Sequence, residues 1–145
     1  MATILNPLKF IKLYENQNLR ISFDPDLKLF RHAWNSHNHA FTDNDALFRE
    51  YALLVQRYHI STQPRYVIVD TQHSDYVMDV EMHNWMGEVV NKAMREGNTK
   101  RLAYLSSPNV FAQTSLELMT EEFKIPYYEV SFFETETEAL DWLLA

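Results

Sequence analysis

The sequence lacks cysteine, contains only two glycines and has no apolar run of membrane-spanning length. Without cysteine, disulfides, thiolate zinc sites and cysteine nucleophiles are excluded. With only Gly87 and Gly97, the glycine-rich loops of Walker and dinucleotide-binding motifs are excluded as well. The first residues also lack a signal-peptide pattern, so we expect a cytoplasmic protein with no membrane span.

Positive charge is also scarce. The chain has 13 Lys and Arg against 20 Asp and Glu, and its net charge is −7. Nucleic-acid binding needs clustered basic residues, so we expect no nucleic-acid partner. A length of 145 residues with 46% hydrophobic residues predicts one globular domain over residues 1–145.

Hydrophobic periodicity predicts the fold class. Residues 10–16, 19–24 and 27–34 alternate apolar and polar side chains, which predicts a three-stranded antiparallel meander. The uninterrupted apolar runs at residues 66–69 and 102–105 are typical of buried parallel strands. We therefore predict an α/β fold whose mixed sheet has an N-terminal antiparallel meander and then β/α alternation, covered by about four helices.

Polar residues at the predicted helix ends indicate where the helices begin and stop. A capping side chain accepts a hydrogen bond from a free amide of the first turn, and glycine often ends a helix in the left-handed conformation. The predicted caps are Thr42 or Asp43, then Asp79, then Ser107 with Pro108 as first helical residue, then Thr135 in a capping box with Glu138. Gly97 is the predicted left-handed residue.

Three stretches carry a family resemblance: RYVIVDTQ leading into VMDVEM, KRLAYLSSPNVFAQTSLELM, and YYEVSFFETETEALDWLL. Over residues 19–145 their order and spacing resemble the SpoIIAA-like family. These proteins are relatives of the STAS domain, and their fold is also compared with the CRAL-TRIO lipid-binding domain. The resemblance implies a STAS/SpoIIAA-like α/β fold and a non-enzymatic regulatory or binding module that acts through protein–protein contact.

The chain departs from that family at the position of the family's phosphorylation switch. In the anti-sigma-factor antagonists of the STAS family, the turn into this helix carries a phosphorylatable serine. The matching positions here are Val80, Glu81 and Met82, and none has a hydroxyl group. We therefore expect no phosphorylation switch, and we expect that the neighbouring Thr71 and Ser74 are not required phosphoacceptors.

The segment after the first apolar run contains the candidate site. Its tentative ligand- or partner-binding residues are Asp70, His73, Ser74, Asp79 and Glu81. A metal-dependent enzyme using Asp70, His73 and Asp79 is one alternative, because carboxylates and imidazole bind divalent metals and transfer protons. The simpler interpretation is that Asp79 caps a helix and Asp70 accepts amide hydrogen bonds. We favour it and assign no catalytic residue, metal or cofactor.

Histidines form a second candidate group. His32, His37 and His39 lie close enough in sequence to bind zinc or nickel, but the segment has the composition of a strand end and a polar loop. We favour the loop. His83 on the second predicted helix is expected to face solvent.

A methionine stripe gives a second alternative for function. Met78, Met82 and Met86 are spaced to share a helix face, where they would either pack in an ordinary core or border an adaptable apolar cavity. The leading prediction is thus a module that binds an unidentified protein partner. The alternatives are a carrier of a small apolar, lipid-like ligand and, less favoured, the metal-dependent enzyme.

Aromatic residues predict self-association. Tyr127 and Phe133 fall on the opposite strand face from Tyr128, Val130 and Phe132, and Phe30 and Trp34 fall opposite Leu27 and Leu29. Apolar side chains on both faces leave aromatic surface to cover, and two-fold dimers are the commonest closed assembly. We predict a homodimer, with a monomer of ordinary surface composition as the alternative.

Overall fold

The computed structural model describes residues 8–123 and 125–145, and within them the chain is an α/β protein with one mixed sheet. Its strands are β1 (Ile11–Glu15), β2 (Leu19–Asp24), β3 (Leu29–Asn35), β4 (Tyr66–His73), β5 (Arg101–Leu105) and β6 (Glu129–Phe133). Its α-helices are α1 (Asp45–Thr62), α2 (Val80–Glu96), α3 (Val110–Phe123) and α4 (Glu136–Leu143). The strands follow one another across the sheet in chain order.

The sheet combines the two predicted pairing modes. β1, β2 and β3 pair antiparallel, and β3 to β6 pair parallel. The predicted α/β class, meander and β/α alternation are confirmed. The apolar runs at residues 66–69 and 102–105 lie in β4 and β5, each of which has a strand on both sides, so their predicted central position is also confirmed.

Both faces of the central strands are covered by helices. Side chains alternate along a strand, so Phe30, Val67 and Val69 point into a large core under α1, α2 and α3. Their neighbours Leu29 and Ile68 point the other way, into a smaller core that contains Leu140 and Leu143 of α4. The apolar runs are continuous because both faces of these strands are buried under helices.

Two of the four predicted helix caps are confirmed. The side chain of Asp79 accepts from Met82 N at 2.8 Å, and that of Thr135 accepts from Glu138 N at 3.2 Å. The other two are wrong by one or two residues. Asn44 caps α1 and accepts from Leu47 N at 3.2 Å, and Asn109 accepts from Ala112 N at 3.0 Å at the start of α3. Several capping residues stand in sequence at both places, so composition alone does not select among them.

β4 is longer than its apolar run. It continues through the polar residues Thr71, Gln72 and His73, a stretch whose composition is typical of a turn. Pairing with β3 extends to His73 opposite Asn35. Thr71 Oγ1 donates to the Leu105 carbonyl at 2.6 Å, and Gln72 Nε2 donates to the Glu134 carbonyl at 3.1 Å. These bonds stabilise a polar strand end that hydrophobicity does not indicate.

The end of α2 does not use Gly97 as predicted. Gly97 has φ −81° and ψ −5°, so it is right-handed, and the left-handed residue is Asn98 with φ 56°. Asn98 N donates to the Arg95 carbonyl and Thr99 N donates to the Met94 carbonyl, which together form a Schellman motif. Gly97 is required for another reason. A Cβ there would lie 2.6 Å from Cδ2 of His59 and 2.6 Å from the Ala93 carbonyl oxygen.

The variant G97A is therefore expected to lower the free energy of unfolding by about 1–3 kcal/mol, the usual cost of overpacking. The matched control N98G keeps a residue that adopts the left-handed conformation, and it is expected to change stability by less than about 0.5 kcal/mol. Urea denaturation of both variants checks this. Wild-type stability in G97A would contradict the close approach of His59.

The aromatic residues behind the dimer prediction lie mostly inside the fold. Phe30 is 0% exposed and Trp34 is 6% exposed, because α1 to α3 cover their face of the sheet. Phe133 packs against Trp142 of α4 with 5.5 Å between ring centroids. Tyr127 keeps 38% of its surface exposed. The homodimer stays a prediction, but most of the surface from which we predicted it is buried within one chain.

Candidate functional site

Asp70 is a buried structural residue on the α4 face of the sheet. Its Oδ2 accepts from Arg31 Nη2 at 2.7 Å, and its Oδ1 accepts from the Gln72 amide at 3.0 Å. Arg31 Nε donates to Glu136 Oε1 at 2.7 Å, so one arginine joins two carboxylates from β4 and α4. Asp70 does accept an amide hydrogen bond as the sequence predicts, although it lies within the strand.

The other predicted site residues do not converge on Asp70. His73 and Glu81 are exposed, Asp79 is occupied as the cap of α2, and the Ser74 carbonyl accepts from Ser107 Oγ at 2.7 Å. Residues 8–123 and 125–145 contain no group of three acidic or histidine side chains placed to hold a metal ion. The arrangement therefore gives no support to a carboxylate–histidine metal centre here.

The three neighbouring histidines are also separated. His37 and His39 lie exposed in a 3₁₀ turn, whereas His32 is buried in β3. The prediction that His83 faces solvent is wrong. His83 is 7% exposed, and its Nε2 lies 3.1 Å from Ser115 Oγ of α3. The methionine stripe indicates which side of α2 faces the sheet. A second side of the same helix is covered by α3, and His83 lies on that side.

A cavity of about 100 Å³ lies between the sheet and the helices α1, α2 and α3. Each of these helices contributes one alanine to its lining: Ala52, Ala93 and Ala112. Small side chains at these three lining positions leave space that larger ones would fill. Among the described residues, none with a charge at neutral pH lines it. The cavity is therefore a mainly apolar chamber.

The cavity is costly and adaptable. Side chains that border unfilled apolar space lose packing contacts, so leaving this space empty costs stability. Four methionines line it: Met78, Met86, Met94 and Met119. Methionine is unbranched and changes shape readily, so the chamber can adjust to an occupant. Of the predicted stripe, Met78 and Met86 line the cavity, and Met82 is buried in the same core.

Two buried histidines also line the cavity, and their hydrogen bonds determine their tautomers. Trp34 Nε1 donates to His32 Nδ1 at 2.8 Å, because an indole nitrogen can only donate. Neutral His32 therefore carries its proton on Nε2. Thr99 Oγ1 donates to the Pro64 carbonyl at 2.8 Å, so it must accept from His59 Nε2 at 2.7 Å. The acceptor nitrogen of neutral His59 is then Nδ1.

Burial keeps both histidines neutral. It lowers the pKa of His32 to about 3, with smaller contributions from His59 and Arg31, and it lowers the pKa of His59 to about 4. Unfolded histidine has a pKa near 6.5. Between these values the unfolded chain binds protons that the folded chain does not, so stability is fully present above pH 6.5 and declines as the pH falls toward 4 and 3.

Lowering the pH from 6 to 5 is expected to reduce the free energy of unfolding by about 2 kcal/mol through these two histidines. H59Q should remove about half of that dependence, while the control H37Q, which changes an exposed histidine, should keep it. Urea denaturation at pH 7, 6 and 5 measures the slope. An unchanged slope in H59Q would show that folding does not lower the pKa of His59.

The methionines Met78 and Met86 were predicted, as one alternative, to border a cavity, but the sequence did not lead us to place His32 and His59 there, although two periodic signals point to them. Phe30, His32 and Trp34 alternate in one strand, which places His32 on the buried face. His59 follows Val55 by four residues in α1, which places it on the same buried stripe. The three alanines give no such signal, because alanine is as common at filled helix contacts as at a cavity.

A separate apolar surface lies where α2 and α3 begin. Its members are Val77, Val80, Val110 and Phe111, which are 52%, 71%, 72% and 75% exposed, and we call it the helix-end surface. Ser115 Oγ accepts from Met78 N at 2.9 Å, so the segment just before α2 contacts the second turn of α3. The exposed acids Asp75, Asp79 and Glu81 lie among these residues in the chain.

Comparison of the chain with protein-family models, with curated proteins and with solved structures finds no match. The SpoIIAA-like resemblance therefore remains a prediction. Over the described part of the chain, no helix is both long enough and apolar enough to cross a bilayer. The candidate sites rest on geometry alone.

Proposed function

We propose that this domain is a non-enzymatic binding module that holds a small apolar ligand between its sheet and the helices α1, α2 and α3. The observation that carries this proposal is the cavity of about 100 Å³, which is lined by apolar and neutral side chains. Filling it recovers hydrophobic contacts that the folded chain otherwise lacks. Of the functions considered from the sequence, the ligand carrier is the one that this geometry supports best.

The size of the cavity limits the ligand. Engineered apolar cavities of about 150 Å³ in another protein hold benzene or xenon. A chamber of about 100 Å³ takes a molecule of that class or smaller unless its methionines move aside. A short-chain or single-ring molecule fits this proposal better than a full-length lipid.

A substitution that fills the cavity with a larger side chain tests the site. In the wild type, xenon is expected to shift the NMR signals of the methyl groups of Met86, Met94 and Met119, which line the cavity. A52L places a larger side chain at the lining and should abolish these shifts. Because the added carbons fill empty space, A52L should also keep or raise the unfolding temperature.

The matched control A46L makes the same substitution at an exposed position of the same helix and should leave the xenon shifts intact. Wild-type methyl signals that do not respond to xenon would contradict the proposal. Mass spectrometry of the protein purified from its native host, under conditions that preserve complexes, would identify the natural occupant.

The helix-end surface supports a second candidate function, contact with a protein partner. It groups exposed apolar residues with Asp75, Asp79 and Glu81, and it includes part of the segment that the family resemblance assigns to partner binding. An apolar centre with an acidic rim fits a partner that has an apolar patch with basic flanks. A second copy of this acidic chain would bring like charges together at this surface.

A photo-crosslinking residue placed at Phe111 is expected to give a protein adduct in native-host cells, whereas the same residue at Leu53 should not. Leu53 is the matched control, because it is an exposed apolar residue on α1, away from the helix-end surface. Equal labelling at both positions would reject a specific contact. Light scattering separates the homodimer from other partners, since a mass near 17.2 kDa would reject the dimer.

A further inference from the structure

The cavity contains two polar atoms without partners. His32 Nε2 and His59 Nδ1 form no hydrogen bond within the described residues, although both side chains are more than nine-tenths buried. In that part of the chain, Arg49 Nε is the only fully enclosed side-chain nitrogen or oxygen that lacks a partner. The two histidine nitrogens therefore keep accessible surface. Both residues line the cavity, and we infer that this surface faces its interior.

One of these two atoms can donate a hydrogen bond and the other can accept one. His32 Nε2 carries a proton and donates, because its Nδ1 accepts from Trp34. His59 Nδ1 accepts, because its Nε2 donates to Thr99. Their rings lie 5.7 Å and 5.3 Å from the ring of Phe30, so they border the same part of the core. A donor that faces a mainly apolar chamber selects for an acceptor on its ligand.

We propose that the ligand is an uncharged, mainly apolar molecule with one oxygen atom that accepts a hydrogen bond from His32 Nε2, as a ketone or an alcohol does. An alcohol can also donate to His59 Nδ1. This inference rests on the proposed function of the cavity. It narrows the ligand from apolar molecules in general to those with a single neutral oxygen group.

The lining disfavours a charged ligand. A carboxylate would need a cationic partner, and none of the described lining residues is Lys or Arg. His32 does not supply the charge either, because burial holds its pKa at about 3. An ion placed here would lose its hydration without compensation. A free fatty acid with its head group inside the chamber therefore does not fit.

Cyclopentane and cyclopentanone test the inference, because they share a ring and differ by one carbonyl oxygen. Transfer from water to a purely apolar site penalises the ketone, so such a site would bind cyclopentane more than tenfold more tightly. With His32 as donor, cyclopentanone is expected to bind at least as tightly as cyclopentane in NMR titrations of the wild type. Only cyclopentanone should shift the ¹⁵N signal of His32 Nε2.

The variant H32F removes the donor and keeps a ring of similar size. It is expected to weaken cyclopentanone binding about tenfold and cyclopentane binding less than threefold, whereas the control H37F should change neither. If H32F does not fold, the wild-type ¹⁵N shift decides the question. Binding of cyclopentane without cyclopentanone would overturn this inference and leave the proposed function standing. If neither compound binds, both are overturned.

Discussion

The central constraint on this fold is that β3, β4 and β5 must be covered on both faces. Three long helices cover one face, and the eight-residue helix α4 covers part of the other. A short helix leaves the end of its face without apolar contacts. There Arg31 joins Asp70 and Glu136, so a partly buried ion-paired group takes the place of a hydrophobic contact. Asp70 is the more buried of the two carboxylates, so removing it would leave Arg31 paired only with Glu136, whose side chain is 37% exposed.

The cavity follows from how the opposite face is covered. The three helices over that face place Ala52, Ala93 and Ala112 at its lining, and these side chains are too small to fill the space above the strands. The methionines around them are flexible, and the neutral histidines add hydrogen-bonding atoms without adding charge. The same features make the site adaptable in shape and selective in chemistry.

Periodicity was sufficient to predict the mixed sheet. A strand buried on both faces has a continuous apolar run, whereas the strands of the meander alternate apolar and polar residues. It did not predict the polar end of β4, where Thr71 and Gln72 bond to distant carbonyl groups. It also did not predict His83 as buried, because α3 covers that side of α2. The cavity depends on how three helices meet, and contacts between segments distant in sequence are not encoded in local pattern.

The two candidate functions share one segment. Residues 74–79 alternate like a strand: Ser74, Tyr76 and Met78 line the cavity, while Asp75, Val77 and Asp79 are exposed toward the helix-end surface. Tyr76 anchors the segment to α1, because its hydroxyl donates to Asp45 at 2.6 Å and its ring stacks on Phe48 at 4.2 Å. A cavity ligand that displaces the backbone at Met78 would also move Val77, its neighbour in the chain. Linkage then requires that a partner bound at the helix-end surface change ligand affinity by the same factor as the ligand changes partner affinity.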